Sequence, residues 1–120
     1  MPTGNSRLRV QQEEGGVVRI GFQDRNILDE ANIQQIGDEI TQLVEQSANP
    51  RVLICFENVE HLSSAALGAL ITVNNKIRQK GGQLRLSNID DQIREVFEIT
   101  KLDKLFQIHP DVERALASFQ

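Results

Sequence analysis

The sequence contains no tryptophan and no tyrosine, and it has only five phenylalanines among 120 residues. Sites that stack sugars or nucleic-acid bases need aromatic faces, so this composition disfavours both kinds of site. The single cysteine, Cys55, excludes an internal disulfide. Because Cys55 stands within an apolar run, we expect a buried, unreactive thiol rather than a nucleophile.

The chain also lacks a stripe of basic side chains and any apolar run approaching the ~20 residues that cross a membrane. Its 13 basic and 17 acidic residues give a net charge of −4. Non-specific nucleic-acid binding depends on basic side chains that neutralise phosphates, so this balance argues against it. No signal-peptide core is visible. We therefore expect a cytoplasmic protein that binds no nucleic acid and no membrane.

Residue sets for catalysis or metal binding are missing as well. His61 stands beside Glu60 and could share a proton with it, but a solvated turn histidine explains the pair equally simply. Cys55, His61 and His109 lack the spacing of zinc ligands. The glycine pairs Gly15-Gly16 and Gly81-Gly82 do not belong to a phosphate-binding loop. The sequence thus predicts no enzyme, no metal site and no cofactor.

What the chain does contain is one alternation of strands and helices. Apolar and polar residues alternate over 7–23 around Gly15-Gly16, which predicts an antiparallel hairpin. The continuous apolar run from Val52 to Phe56 predicts a buried central strand. Further periodicities predict strands at 83–87 and 106–109 and helices at 29–46, after Ser63-Ser64, at 89–100, and from Pro110 onward.

The predicted order is β-β-α-β-α-β-α-β-α, which requires parallel βα units behind the antiparallel hairpin. We therefore predict an α/β fold with a mixed sheet and about four helices. The whole chain, 1–120, is predicted to form one domain, with residues 1–6 as a disordered tail.

Ser63 and Ser64 follow the predicted central strand and begin the next helix, at the usual ligand edge of a parallel sheet. Either hydroxyl can cap the helix, an interaction worth ~1 kcal/mol. A helix N-terminus also tolerates an anion, so either serine can instead be a kinase acceptor. Position and spacing leave both roles open.

The segment that carries these serines resembles the central motif of the STAS domain, found in bacterial anti-sigma-factor antagonists. That motif is an apolar strand and a turn, then Asp-Ser-Ser-Gly-Leu-Gly at the start of a helix. Without a gap, the corresponding residues here are Ser63, Ser64, Ala65, Ala66, Leu67 and Gly68. The segment 98–108 is similar to a second family stretch, with Lys101 in place of a glycine. Lys101 implies either a left-handed residue or a different local turn. The resemblance covers about residues 8–119.

The resemblance implies a STAS-like fold and a non-catalytic switch that regulates transcription. In that family the antagonist binds an anti-sigma factor that is also a serine kinase, phosphorylation releases it, and a metal-dependent phosphatase of the PPM type resets it. Ser64 falls on the phosphorylated position. The residues expected to contact the partner are His61, Ser63, Ser64, Ala65, Ala66, Gly68 and Asn74. The alternative is a STAS scaffold or regulatory module that is not phosphorylated.

Overall fold

The computed structural model describes residues 8–27 and 29–119, so the tail predicted at 1–6 lies outside the described residues. The strands are β1 (Leu8–Gln12), β2 (Val17–Phe22), β3 (Asn26–Ile27), β4 (Arg51–Cys55), β5 (His61–Leu62), β6 (Gln83–Ser87) and β7 (Gln107–His109). The α-helices are α1 (Glu30–Glu45), α2 (Ser64–Gln79), α3 (Asp91–Ile99) and α4 (Val112–Ala117).

Five of these strands form one mixed sheet in the order β1-β2-β4-β6-β7. β1 and β2 are antiparallel, while the other neighbouring pairs are parallel, as the sequence predicts. β4 is the middle strand, and Cys55 at its end is only 8% exposed. The predictions of a mixed sheet and of a buried central strand are confirmed.

The hairpin between β1 and β2 turns through a short 3-10 segment, Glu14–Gly16. Gly15 and Gly16 both have φ of +77°, a left-handed conformation that glycine adopts at little cost. The side chain of Arg51 reaches this turn, and its Nη1 donates a hydrogen bond of 2.9 Å to the carbonyl of Gly15. The turn is therefore tied to the start of the central strand.

The main core lies between one face of the sheet and the helices α1, α2 and α3. Ile20, Ile54 and Leu86 cover this face of three adjacent strands and are fully buried. Val44 of α1 and Phe97 of α3 belong to the same cluster. This packing holds α1 and α2 side by side over the sheet.

The helix α4 covers the opposite face, where Ala115 packs with Val17 and Leu53 in a separate small cluster. The sequence predicts that this helix begins at Pro110, and that prediction is wrong. Asp111 is the N-cap instead, because its Oδ1 accepts a hydrogen bond of 2.8 Å from the backbone N–H of Arg114. A carboxylate at the cap accepts a hydrogen bond from a free N–H of the first turn, whereas proline has no side-chain acceptor.

Arg85 ties the end of α4 to the sheet. Its side chain is buried and donates to the hydroxyl and the carbonyl of Ser118 over 2.9 and 3.3 Å. The guanidinium also stacks on the ring of Phe119 at 5.0 Å. Burial lowers the pKa of Arg85 from its usual value, and the nearby charge of Arg51 lowers it further.

Lys101 follows the last turn of α3 with φ of +63°, in the left-handed region. Of the two alternatives for this residue, the structure shows the strained one. A side chain in this region costs roughly 1–2 kcal/mol relative to ordinary backbone, a cost that glycine avoids.

Candidate functional site at the N-terminus of α2

Ser63 is the N-cap of α2. Its backbone is extended, with φ of −84° and ψ of 166°, and its Oγ accepts a hydrogen bond of 3.2 Å from the backbone N–H of Ala66. Its carbonyl accepts the first helical bond, 3.2 Å from the N–H of Leu67. Of the two serines that could cap this helix, Ser63 therefore has the capping role.

Ser64 is the first residue of α2 and is exposed. Its hydroxyl makes no hydrogen bond with any residue in the described part of the chain. The first turn of the helix contains no acidic side chain. The site thus offers one free hydroxyl at the positive end of a helix.

The segment before these serines is held by a small two-stranded sheet. β5 pairs with β3 in parallel, so that His61 lies opposite Asn26 and Leu62 opposite Ile27. The N–H of Ser63 donates to the carbonyl of Ile27 over 3.1 Å. The backbone of Ser63, the cap residue, is therefore held in place by β3, which lies between β2 and α1 in the chain.

Asn26 also fixes the side chain of His61, since its Oδ1 lies 2.8 Å from His61 Nδ1. An amide oxygen only accepts hydrogen bonds, so Nδ1 carries the hydrogen in this contact, and Nε2 of the exposed ring has no partner among the described residues. The sequence interpretation treats residues 23–26 as a loop and misses Asn26. Two residues are too few to show a strand periodicity.

The structure separates the residues expected to contact a partner into two groups. His61, Ser64, Ala65 and Gly68 are exposed and Ser63 is half-buried, all near the start of α2. Ala66 is 5% exposed and Asn74 is 6% exposed, so both belong to the buried face of the helix. The expectation that these two residues lie on the partner surface is therefore corrected.

The exposed start of α2 continues into a groove between α1 and α2 with a volume of about 330 Å³. Gly37 and Ala69 both line it, and a Cβ placed on Gly37 would lie 3.9 Å from that of Ala69, so the two helices approach each other closely there. Its lining includes Ala65 and the carboxylate-bearing Glu30 and Asp38, and no basic residue. We call it the acidic groove. It includes Ala65, the residue after Ser64, and its surface carries negative charge.

The described residues contain no cluster of three or more His, Cys, Asp or Glu side chains that could hold a metal ion. Within the same ranges, no helix has the length and apolar character needed to cross a membrane.

A family model for the STAS domain matches residues 11–115, nearly the whole chain. The chain belongs to the STAS domain family. In this STAS protein Ser63 is the N-cap of α2 and the exposed Ser64 is its first residue.

Two curated proteins are similar to this chain in sequence. BtrV of Bordetella bronchiseptica, named provisionally as an anti-sigma factor antagonist, is 29% identical over 96 residues, which cover 80% of this chain and 82% of that protein. The anti-sigma-B factor antagonist of Bacillus subtilis is 29% identical over 73 residues, covering 61% of this chain and 65% of the relative.

Solved structures confirm the fold. An anti-sigma-factor antagonist (STAS) domain protein from Planctomyces limnophilus superposes with a TM-score of 0.81 at 23% identity, covering 92% of this chain and 96% of the other. The Bacillus cell fate determinant SpoIIAA in its phosphorylated form superposes with a TM-score of 0.70 at 19% identity, covering 92% and 96%.

Proposed function

We propose that this STAS protein is an anti-sigma-factor antagonist, a non-catalytic switch that binds an anti-sigma factor with serine kinase activity. Phosphorylation of Ser64 releases it, and a phosphatase of the PPM type restores the binding form. The names of the curated relatives support the first part of this proposal. A role for phosphate is supported by SpoIIAA, a protein of the same fold that has been solved in a phosphorylated form.

The observation that carries the proposal is the division of roles between the two serines. Ser63 uses its hydroxyl to cap α2, with the 3.2 Å bond from Ala66 N–H. Ser64 is exposed and has no such bond, so a kinase can modify it without opening the helix. Phosphate on Ser63, by contrast, would replace the capping hydroxyl.

The proposed partner surface consists of His61, Ser64, Ala65, Gly68 and the acidic groove. A Cβ added at Gly68 would meet no atom within 4 Å, so the fold itself does not require glycine there. A helix-interior glycine costs about 1 kcal/mol relative to alanine. Close approach of a partner to the helix backbone explains why that cost is tolerated. The carboxylates of the acidic groove favour a partner with a basic surface.

Phosphate acts on this surface through local charge. It adds about −1.5 to −2 charges where the protein already presents Glu30 and Asp38. Desolvating such a group in an interface without a cationic partner is strongly unfavourable. Release therefore needs no rearrangement of the fold.

The proposal is tested by mass and by binding. Protein incubated with its anti-sigma factor and ATP should gain one phosphate on Ser64, and the Ser64→Ala variant should gain none while still binding. Ser64→Asp should bind more weakly by about 5- to 150-fold, which corresponds to 1 to 3 kcal/mol. Asn75→Asp is the matched control, because it adds the same charge to an exposed position about 16 Å further along α2.

Equal binding of Ser64→Ala and Ser64→Asp, or phosphate found on Ser63, would contradict the proposed role of Ser64. Those outcomes favour the second candidate, a STAS scaffold or regulatory module without phosphorylation. The observation behind that candidate is the neutral Ser63 and the methyl group of Ala66 at positions where the family motif has aspartate and glycine.

A further inference from the structure

A second concave surface lies at the end of α2 that is distant from Ser64. It has a volume of about 430 Å³ and is bounded by the second half of α2, the start of β6 and residues 104–107. Gln107 at the start of β7 is paired with Arg85, so the first two residues of β6 extend beyond β7. We call this surface the Asn74 groove after the buried side chain that lines it.

Asn74 is 6% exposed, and its Nδ2 has no hydrogen-bond partner in the described part of the chain. Buried polar groups in folded proteins are nearly always hydrogen-bonded, so an unpaired amide points to a missing partner. A half-turn of the terminal side-chain bond, a soft two-fold torsion, exchanges the amide nitrogen and oxygen. This half-turn would direct the NH₂ group toward the groove that Asn74 lines and place the amide oxygen where the nitrogen now lies.

The rim of the groove is basic. Arg78 and Lys104 line it and are exposed, and neither forms an ion pair with any of the described residues. Lys76, two positions before Arg78, is by contrast paired with Glu45 at 3.6 Å. No aspartate or glutamate lines the groove. On a chain with a net charge of −4, these two side chains, unpaired within the described residues, concentrate positive charge beside an amide that lacks a hydrogen bond.

We propose that the Asn74 groove binds a small anion that carries phosphate or carboxylate groups. Arg78 and Lys104 neutralise its charge, and the Asn74 amide donates to one of its oxygens. The volume falls in the range of small-ligand sites in proteins, about 300–1,000 Å³. The site is independent of Ser64, because Asn74 lies about 15 Å further along the same helix.

The experiment is an NMR titration of the ¹⁵N-labelled full chain with inorganic phosphate in one arm and citrate in the other, against sodium chloride at matched ionic strength. The Asn74 side-chain NH₂ signals and the backbone amides around Arg78 and Lys104 should shift saturably. Saturation in one arm only assigns the site to phosphates or to carboxylates. Shifts that stay linear with concentration in both arms, as chloride produces, would overturn the proposal.

Variants at the rim of the groove test whether the anion binds there. Arg78→Ala combined with Lys104→Ala should weaken binding at least about tenfold, or 1.4 kcal/mol. The control is Arg94→Ala combined with Arg114→Ala, which removes two exposed positive charges on α3 and α4. If both double variants weaken anion binding equally, the anion is attracted by the net charge of the protein, and the groove is not its binding site.

Asn74→Leu separates ligand binding from a structural role. Leucine has the branched shape of asparagine and removes the unpaired amide, so the melting temperature without anion should stay unchanged or rise. The rise in melting temperature that saturating phosphate or citrate gives the unmodified chain should then be lost. A variant that folds and is stabilised by the anion as well as the unmodified chain would show that Asn74 does not bind it.

Discussion

The two adjacent serines allow stability and modification to be separated by single substitutions. Ser63→Ala removes the side-chain acceptor of the 3.2 Å bond to Ala66 N–H, so we expect a loss of about 1 kcal/mol in the free energy of unfolding. For a chain of this size that corresponds to a fall in melting temperature of roughly 3–5 °C. Ser64→Ala removes no hydrogen bond, so its effect should stay within about 0.5 kcal/mol.

Urea unfolding followed by circular dichroism measures both variants, with Ser63→Asp as the rescue. A carboxylate caps as well as a hydroxyl and interacts favourably with the helix N-terminus, so Ser63→Asp should recover the stability that Ser63→Ala loses. Phosphate incorporation should persist in Ser63→Ala and disappear in Ser64→Ala. If Ser64→Ala proves the more destabilised of the two alanine variants, the assignment of the cap to Ser63 is wrong.

Three further substitutions test contacts elsewhere in the fold, each by the midpoint of urea unfolding. Gly82→Ala should destabilise by more than about 2 kcal/mol, because its Cβ would lie 2.2 Å from the carbonyl oxygen of Pro50; an unchanged midpoint would refute this contact. Lys101→Gly should stabilise by about 1 kcal/mol, because φ of +63° is strained for lysine; a loss of stability would mean that the side chain compensates for its backbone. Phe119→Ala should cost about 1–3 kcal/mol, because it removes the ring 5.0 Å from the Arg85 guanidinium; no change would show that α4 is held without it.

Elements with a full period of hydrophobic residues were predictable from the sequence. The apolar run of β4, the alternating hairpin strands and the stripe of α1 each repeat often enough to define a buried face. The β3–β5 pair was not predictable, because each strand has two residues and the ladder depends on residues 35 positions apart. The start of α4 is ambiguous in the sequence, because Pro110 and Asp111 are neighbours and either residue type can begin a helix.

Asn74 shows how a family resemblance can misplace a residue that periodicity places correctly. Leu70, Val73 and Ile77 are buried, and position 74 lies between them on the same face of α2. A polar side chain within an apolar stripe is a signal of a buried amide, and the helical periodicity of the sequence is enough to show it. The motif that carries the resemblance covers only the N-terminus of α2, where the serines lie. It carries no information about the second half of the helix.

The geometry of the first turn explains how phosphate on Ser64 can change binding without changing the fold. Ser63 Oγ accepts a hydrogen bond from the N–H of Ala66, while the N–H groups of Ser64 and Ala65 have no acceptor among the described residues. A phosphate on Ser64 can use these two donors and the helix dipole. In the proposed switch the free chain therefore accommodates the phosphate, and its free-energy cost arises in the complex, where its hydration would be removed beside the acidic groove.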